Sequence, residues 1–215
     1  MHRAAHRKAI CLKDKVMLAA HEIETYFSKA DGQFFFARWG RPIAPVIFGL
    51  DDASLAVFKA AIEALVAVAG HDTAETDPEL GANVMVFFCQ DWRELLAVPK
   101  LDALIPDLAA LVARLGAANQ YRFFRFDGQG AIQAAFVFLR MDAALAQMPA
   151  ADLALAQAAQ IMLTWGPQAK LLAQANGVAV LREDAAKLLR AAYAPVLPPA
   201  AQDAAFALRL MARLV

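Results

Sequence analysis

Four histidines and two cysteines are the metal-ligating and strongly nucleophilic side chains of this 215-residue chain. Their spacing decides what chemistry is open to it. His21-Glu22 begins as the zinc-peptidase pattern H-E-x-x-H does, in which imidazoles four residues apart on one helix face share a metal. Position 25 is Thr, so the second ligand is missing and the pair reads as a solvated helix face. His2 and His6 are also four apart but sit near the terminus, where adventitious metal binding is the most they support; His71 stands alone. Cys89 closes an apolar run and reads as a small buried hydrophobe rather than an activated thiol. Two isolated cysteines, Cys11 and Cys89, suit a reducing compartment. Ser28 and Ser54 lack the Gly-x-Ser-x-Gly elbow of a serine nucleophile. No catalytic residue, metal or cofactor is expected from these patterns.

Two other segments mix aromatic and charged residues at predicted strand ends, where clefts and partner contacts form. Arg38-Trp39-Gly40-Arg41 follows one strand and Asp91-Trp92-Arg93-Glu94 another. Arg38, Trp39, Arg41, Asp91, Trp92 and Arg93 are therefore the candidate ligand-binding residues. The competing reading is a Trp sealing the core with a guanidinium stacked on it. Tyr121-Arg-Phe-Phe-Arg-Phe126 interleaves bases with aromatics as single-strand RNA binders do. With no basic surplus elsewhere, it reads as core packing, with the heads of Arg122 and Arg125 reaching solvent. Gly128-Gln-Gly130 lies between two strands, so it reads as a hairpin turn and not a phosphate cradle.

The elements that must hold these residues follow from periodicity. Residues 4–29 carry apolar side chains at helical spacing, giving an N-terminal amphipathic helix within 1–30. A sheet-containing core is expected over 34–141: strands at 34–39, 43–48 and 83–89, a helix over 54–69, short helices through 96 and to 115, and a β-hairpin of 121–126 and 131–141. The run Asn83–Cys89 is uninterruptedly apolar, as a strand buried on both faces should be. The last part, 150–215, reads as helical: 150–165, 182–193 and 200–214. Together these predict one α+β domain with a mixed sheet of about five strands.

Bulk properties narrow the function. Lysine plus arginine equals aspartate plus glutamate at 21 each, so no long-range field gathers phosphates, and nucleic acid is excluded as a partner. Mean hydropathy is +0.42, which with zero net charge favours self-association. No transmembrane segment is expected: residues 143–164 are interrupted by Gln147, Pro149, Asp152, Gln157 and Gln160. A secretory signal is also not expected, because Lys13, Asp14 and Lys15 break the first apolar stretch, which points to the cytoplasm. Arg3, Arg7, Lys8, Lys13 and Lys15 do not share one helix face, which argues against membrane-surface docking.

Three segments together resemble a known group of proteins. They are Arg38-Trp39-x-x-Pro42-Ile43 running into Val46–Gly49, Ala82-Asn83-Val84-x-Val86-x-Phe88, and Leu181–Asp184 running into Leu188-Leu189-Arg190-x-x-Tyr193-x-Pro195. Over residues 34–214 the chain resembles a poorly characterised, mainly alphaproteobacterial family of exported domains of unknown function. The resemblance implies a fold similar to the zincin metallopeptidases, with a His/Glu-rich helix after the hairpin. The matching stretch here, Leu153–Trp165, carries Gln157 and Gln160 but no His, Cys, Asp or Glu, so the resemblance implies a degenerate member without the metal. The expected function is a non-catalytic interaction or accessory protein, working through a protein partner or as a homodimer. The contact surfaces would be the N-terminal helix and the alanine-rich C-terminal helices. The alternative is a small-ligand binder or enzyme built around Arg38/Trp39 and Asp91/Trp92.

Overall fold

The computed structural model describes residues 18–214. The architecture is α+β, built on a mixed four-stranded sheet with two further two-stranded sheets beside it. In chain order the elements of the central sheet are β2 (Pro45–Phe48), β3 (Val84–Cys89), β4 (Gln120–Phe126) and β5 (Ile132–Arg140), following β1 (Phe36–Ala37). Their spatial order is β2-β3-β5-β4. β2, β3 and β5 run parallel, and β4 returns antiparallel along β5 as the predicted hairpin.

Period-two alternation splits each central strand between two cores. Val84 and Val86 of β3, with Val137 and Leu139 of β5, face one side, while Met85, Phe87, Phe136 and Phe138 face the other. Both sides are covered, which is why β3 itself, Val84–Cys89, shows no polar interruption. The larger core is roofed by α1 (Ala20–Phe27), α2 (Asp52–Ala69), α6 (Ala150–Ile161), α7 (Glu183–Ala192) and α8 (Phe206–Met211). The smaller is closed by a 3-10 turn at Trp92–Ala97, α3 (Leu101–Leu104) and α4 (Leu108–Leu115). α5 (Ala143–Ala146) joins β5 to α6.

Local signals explain the element ends. Asp51 caps α2 by accepting the Ser54 backbone N–H at 2.8 Å. α2 buries Phe58, Ile62, Leu65, Val66 and Ala69, a stripe at helical spacing. Gly70 ends it at φ +64°, its N–H bonded back to Ala67, with His71 N–H reaching Val66. Asp91 caps the 3-10 turn, and Glu94 reaches back to the Asp91 N–H at 2.8 Å.

Several expectations are corrected. Of the expected N-terminal helix, Ala20–Phe27 falls among the described residues; His2, His6, Cys11 and the basic residues up to Lys15, and what was expected of them, lie outside the described residues. The strand expected at 34–39 is two residues long, because only Phe36 and Ala37 pair in a ladder, with β8 (Ala200–Ala201), while Phe34, Arg38 and Trp39 make single bridges to three different partners. That pairing draws 200–201 out of the expected C-terminal helix. Residues 172–181 form a second hairpin, β6 (Leu172–Ala175) with β7 (Val178–Leu181), where a helical part was expected. Asn176 and Gly177 both take positive φ, 52° and 78°, the pair of conformations a two-residue hairpin turn requires. The helix expected up to 115 splits into α3 and α4, with Pro106 between them. No helix among the described residues is long and apolar enough to cross a membrane.

Candidate functional site

The six residues nominated from the sequence fall into two places. Trp39 bridges to Ile132, the first residue of β5, and Asn83, just before β3, bonds Ala44, just before β2. Arg38, Trp39 and Arg41 therefore lie at the amino ends of the parallel strands. Asp91, Trp92 and Arg93 follow the carboxyl end of β3, a six-residue strand. At about 3.3 Å per residue the two groups stand roughly 20 Å apart. The sheet lies between them, and they do not converge on one cleft.

Each group is held by contacts within the fold. Trp39 is fully buried, and its indole Nε1–H donates to the Ile161 carbonyl at 2.8 Å. The Arg38 guanidinium donates to the carbonyls of Trp39 and Leu197 and lies 5.7 Å from the Tyr193 ring centroid. Burial lowers its proton affinity, while the neighbouring Tyr193 raises it. Arg41 pairs with Glu79 at 3.0 Å and with Asp77 at 3.4 Å. Behind it, buried Asn83 accepts the Ala44 N–H and donates to the Pro42 carbonyl and to Asp77. Burial pushes the Asp77 carboxyl up, but N–H donors of Leu80, Glu79, Asn83 and Arg41 more than reverse this and hold it below the ordinary range. His71 packs on Tyr193 and donates Nε2–H to the Arg41 carbonyl; burial lowers its pKa.

At the other end, Trp92 is buried and donates to the Ala118 carbonyl at 3.0 Å. Asp91 and Arg93 form an exposed ion pair at 2.7 Å. Hydrogen bonds from the Arg93 side chain and backbone pull the Asp91 carboxyl down to about 2. The stacking guanidinium here is that of Arg140, 5.9 Å from the Trp92 ring centroid, and not that of Arg93. Cys89 is buried, and desolvation, with the Glu94 and Asp91 charges, pushes its thiol up to about 11. Among the described residues no three His, Cys, Asp or Glu side chains are grouped to hold a metal ion.

A different constellation was missed in the sequence. Arg125 is exposed, but Arg122 does not send its head to solvent: it lies between β4 and α6 and donates to the side-chain oxygens of Gln157 and Gln160. Its Nε is shut off from water and has no partner. Burial alone pulls the guanidinium down to about 10. Gln157 donates in turn to Gln120 at 2.9 Å. These residues line a hollow of about 280 Å³ with Ala156, Leu171 and Leu172. The available signal was Gln157-x-x-Gln160, two amides one helical turn apart in a helix that is apolar after Asp152, opposite an arginine in a strand.

The chain matches no family model, no curated protein sequence and no solved structure.

Proposed function

We propose that this chain is a non-catalytic accessory protein that works through contacts, and that its contact partner is a second copy of itself. The observation that carries this reading is the outer face of the β6–β7 hairpin. Val178 and Val180 of β7 are 52% and 38% exposed, and opposite them stand Ala175 and Ala173 of β6. The strand residues of that face are all apolar, bordered by the charged residues Arg182, Glu183, Asp184 and Lys187, while the alternate residue Ala179 is buried. Neither strand pairs with any other strand among the described residues. A two-stranded sheet is marginal by itself, and an exposed apolar strand invites pairing. Net charge is zero, so two copies approach without long-range repulsion.

Of the surfaces expected from sequence, the described parts of the N-terminal and C-terminal helices turn apolar residues into the fold. α1 buries Ile23, Tyr26 and Phe27 and packs on α8, and α7 buries Ala185, Leu188, Leu189, Ala191 and Ala192. On this reading the relation to the metallopeptidase-like family is that of a scaffold without turnover, α6 carrying Gln157 and Gln160 where the resemblance implies ligands.

Size-exclusion chromatography with light scattering tests the proposal. The expected mass is twice 23.2 kDa, falling to the single-chain mass in a V178K/V180K variant with unchanged circular dichroism. A single-chain mass for the unmodified protein at high micromolar concentration refutes it.

A further inference from the structure

We propose that the hollow between β4 and α6 binds an aliphatic carboxylate, with its head on Arg122 and its chain running past Ala156 and Leu172 towards Met148. The inference is independent of self-association and starts from an arginine without a counter-charge. Among the described residues no carboxylate pairs with Arg122. A guanidinium has five N–H donors; two are engaged here, leaving three, of which the Nε–H is sealed from water. A buried charge left in this state is costly, and an anion offsets that cost by pairing with it.

The amides around it settle the sign of the ligand. Arginine can only donate, so Gln157 and Gln160 must turn their oxygens to it. Gln157 then presents its amino group to Gln120, whose oxygen accepts it. Each amide oxygen in the set already accepts a bond. Each amide oxygen keeps a second lone pair, but the unengaged N–H groups of the guanidinium and of the three amides outnumber these, and among the described residues Arg122 is the one charged group lining the hollow. A carboxylate complements both the donors and the charge, whereas a neutral amide offers an acceptor without the charge and a cation offers neither. Arg38 and Arg140 also carry a buried Nε without a partner, but each guanidinium bonds a backbone carbonyl and lies over an aromatic ring, Tyr193 for Arg38 and Trp92 for Arg140. Among the described residues Arg122 has neither, and it lines a hollow.

The apolar half of the ligand follows from the space beyond. A second hollow of about 520 Å³ adjoins the first, since Ala156 and Leu172 line both. Its wall is mostly apolar, with Ala144, Met148, Pro149 and Ala173, and it also carries Gln147, Gln174 and Asp152, whose carboxylate accepts the Ala179 N–H. The apolar part accepts hydrocarbon, and Asp152 repels a second anionic group.

The test is calorimetric titration with straight-chain carboxylates from propanoate to octanoate, with octanamide and inorganic phosphate as comparisons. Affinity is expected to rise with length by up to about fourfold per methylene until the second hollow is filled. Octanamide is expected to bind at least about tenfold more weakly than octanoate. Gln160→Glu places a carboxylate beside Arg122 and is expected to weaken octanoate at least about tenfold without lowering the unfolding midpoint. Arg122→Lys keeps the charge but loses the planar fork and is expected to weaken it as well. The proposal is overturned if no carboxylate binds, if octanamide matches octanoate, if phosphate binds tighter than octanoate, or if Gln160→Glu leaves octanoate affinity unchanged.

Discussion

Replacing Asn83 with alanine should unfold the protein far more readily than the removal of one amide suggests. Asn83 is fully buried and serves three partners: it accepts the Ala44 N–H at 2.8 Å, and donates to the Pro42 carbonyl at 2.8 Å and to Asp77 at 3.1 Å. The Ala44 N–H and the Asp77 carboxylate are left behind in buried surroundings, while the Pro42 carbonyl is only part-buried. An orphaned buried backbone donor costs about 1–3 kcal/mol, and a hydrogen bond to a charged group is worth about 1.5–3 kcal/mol. The sum, about 2.5–6 kcal/mol, corresponds to a drop in Tm of about 5–24 °C for a chain of this size. The loss should also depend on pH. Asp77 is held below the ordinary carboxyl range, so its contribution is present above the unfolded carboxyl pKa of about 3.9 and is lost as pH falls through the folded value. Asn83 supplies one of the bonds that hold it down. The gap between the two proteins should therefore narrow below about pH 4. Urea unfolding at pH 7 and pH 3 measures both effects. A difference under about 1 kcal/mol at pH 7, or a gap that widens in acid, refutes the reasoning.

Gly49→Ala should destabilise the fold, because Gly49 sits at φ +87° and a methyl group there would run into the Phe88 carbonyl oxygen; thermal unfolding against Gly128→Ala, which meets nothing within 4 Å, isolates the effect. In a Cys11→Ser background, Cys89 should react with iodoacetamide at pH 8 at least about tenfold more slowly in the folded protein than in urea, since its thiol is pushed up to about 11 and is buried. Burial, reinforced by the charge and hydrogen bond of Asp184, raises Tyr26 to about 12. Its neutral form is thus favoured by folding, and the stability it gives is present below the free tyrosine value of about 10 and is lost as pH rises from there to about 12. Ultraviolet titration should show Tyr26 ionising later in the native protein than in a Tyr26→Phe-corrected denatured reference; coincident curves would contradict this.

Much of the fold was legible because the signal was local. The stripe of α2, the Asp51 cap, the Gly70 stop, the two-sided burial of β3 and the β4–β5 hairpin all follow from residues within one turn or one strand of each other. β6–β7 was legible too, in the Asn176-Gly177 pair, but surrounding alanines pointed to helix. The split of residues 101–115 at Pro106 belongs with it.

The sequence by itself determined the α+β class, the apolar alternation that places the sheet between two cores, and the balance of charge. Only the tertiary structure decided what the polar residues do. Arg38–Arg41 and Asp91–Arg93 look alike as sequence, yet the direction of β3 puts them at opposite ends of the sheet. Arg122 resembles Arg125 in sequence, yet strand alternation turns one towards α6 and leaves the other exposed. Gln157 and Gln160 acquire meaning only because β4 carries an arginine opposite them, 35 and 38 residues earlier. The physical reason is that helix and strand periods are written in neighbours a few residues apart, whereas a buried charge is matched by groups the chain brings together only when its layers pack.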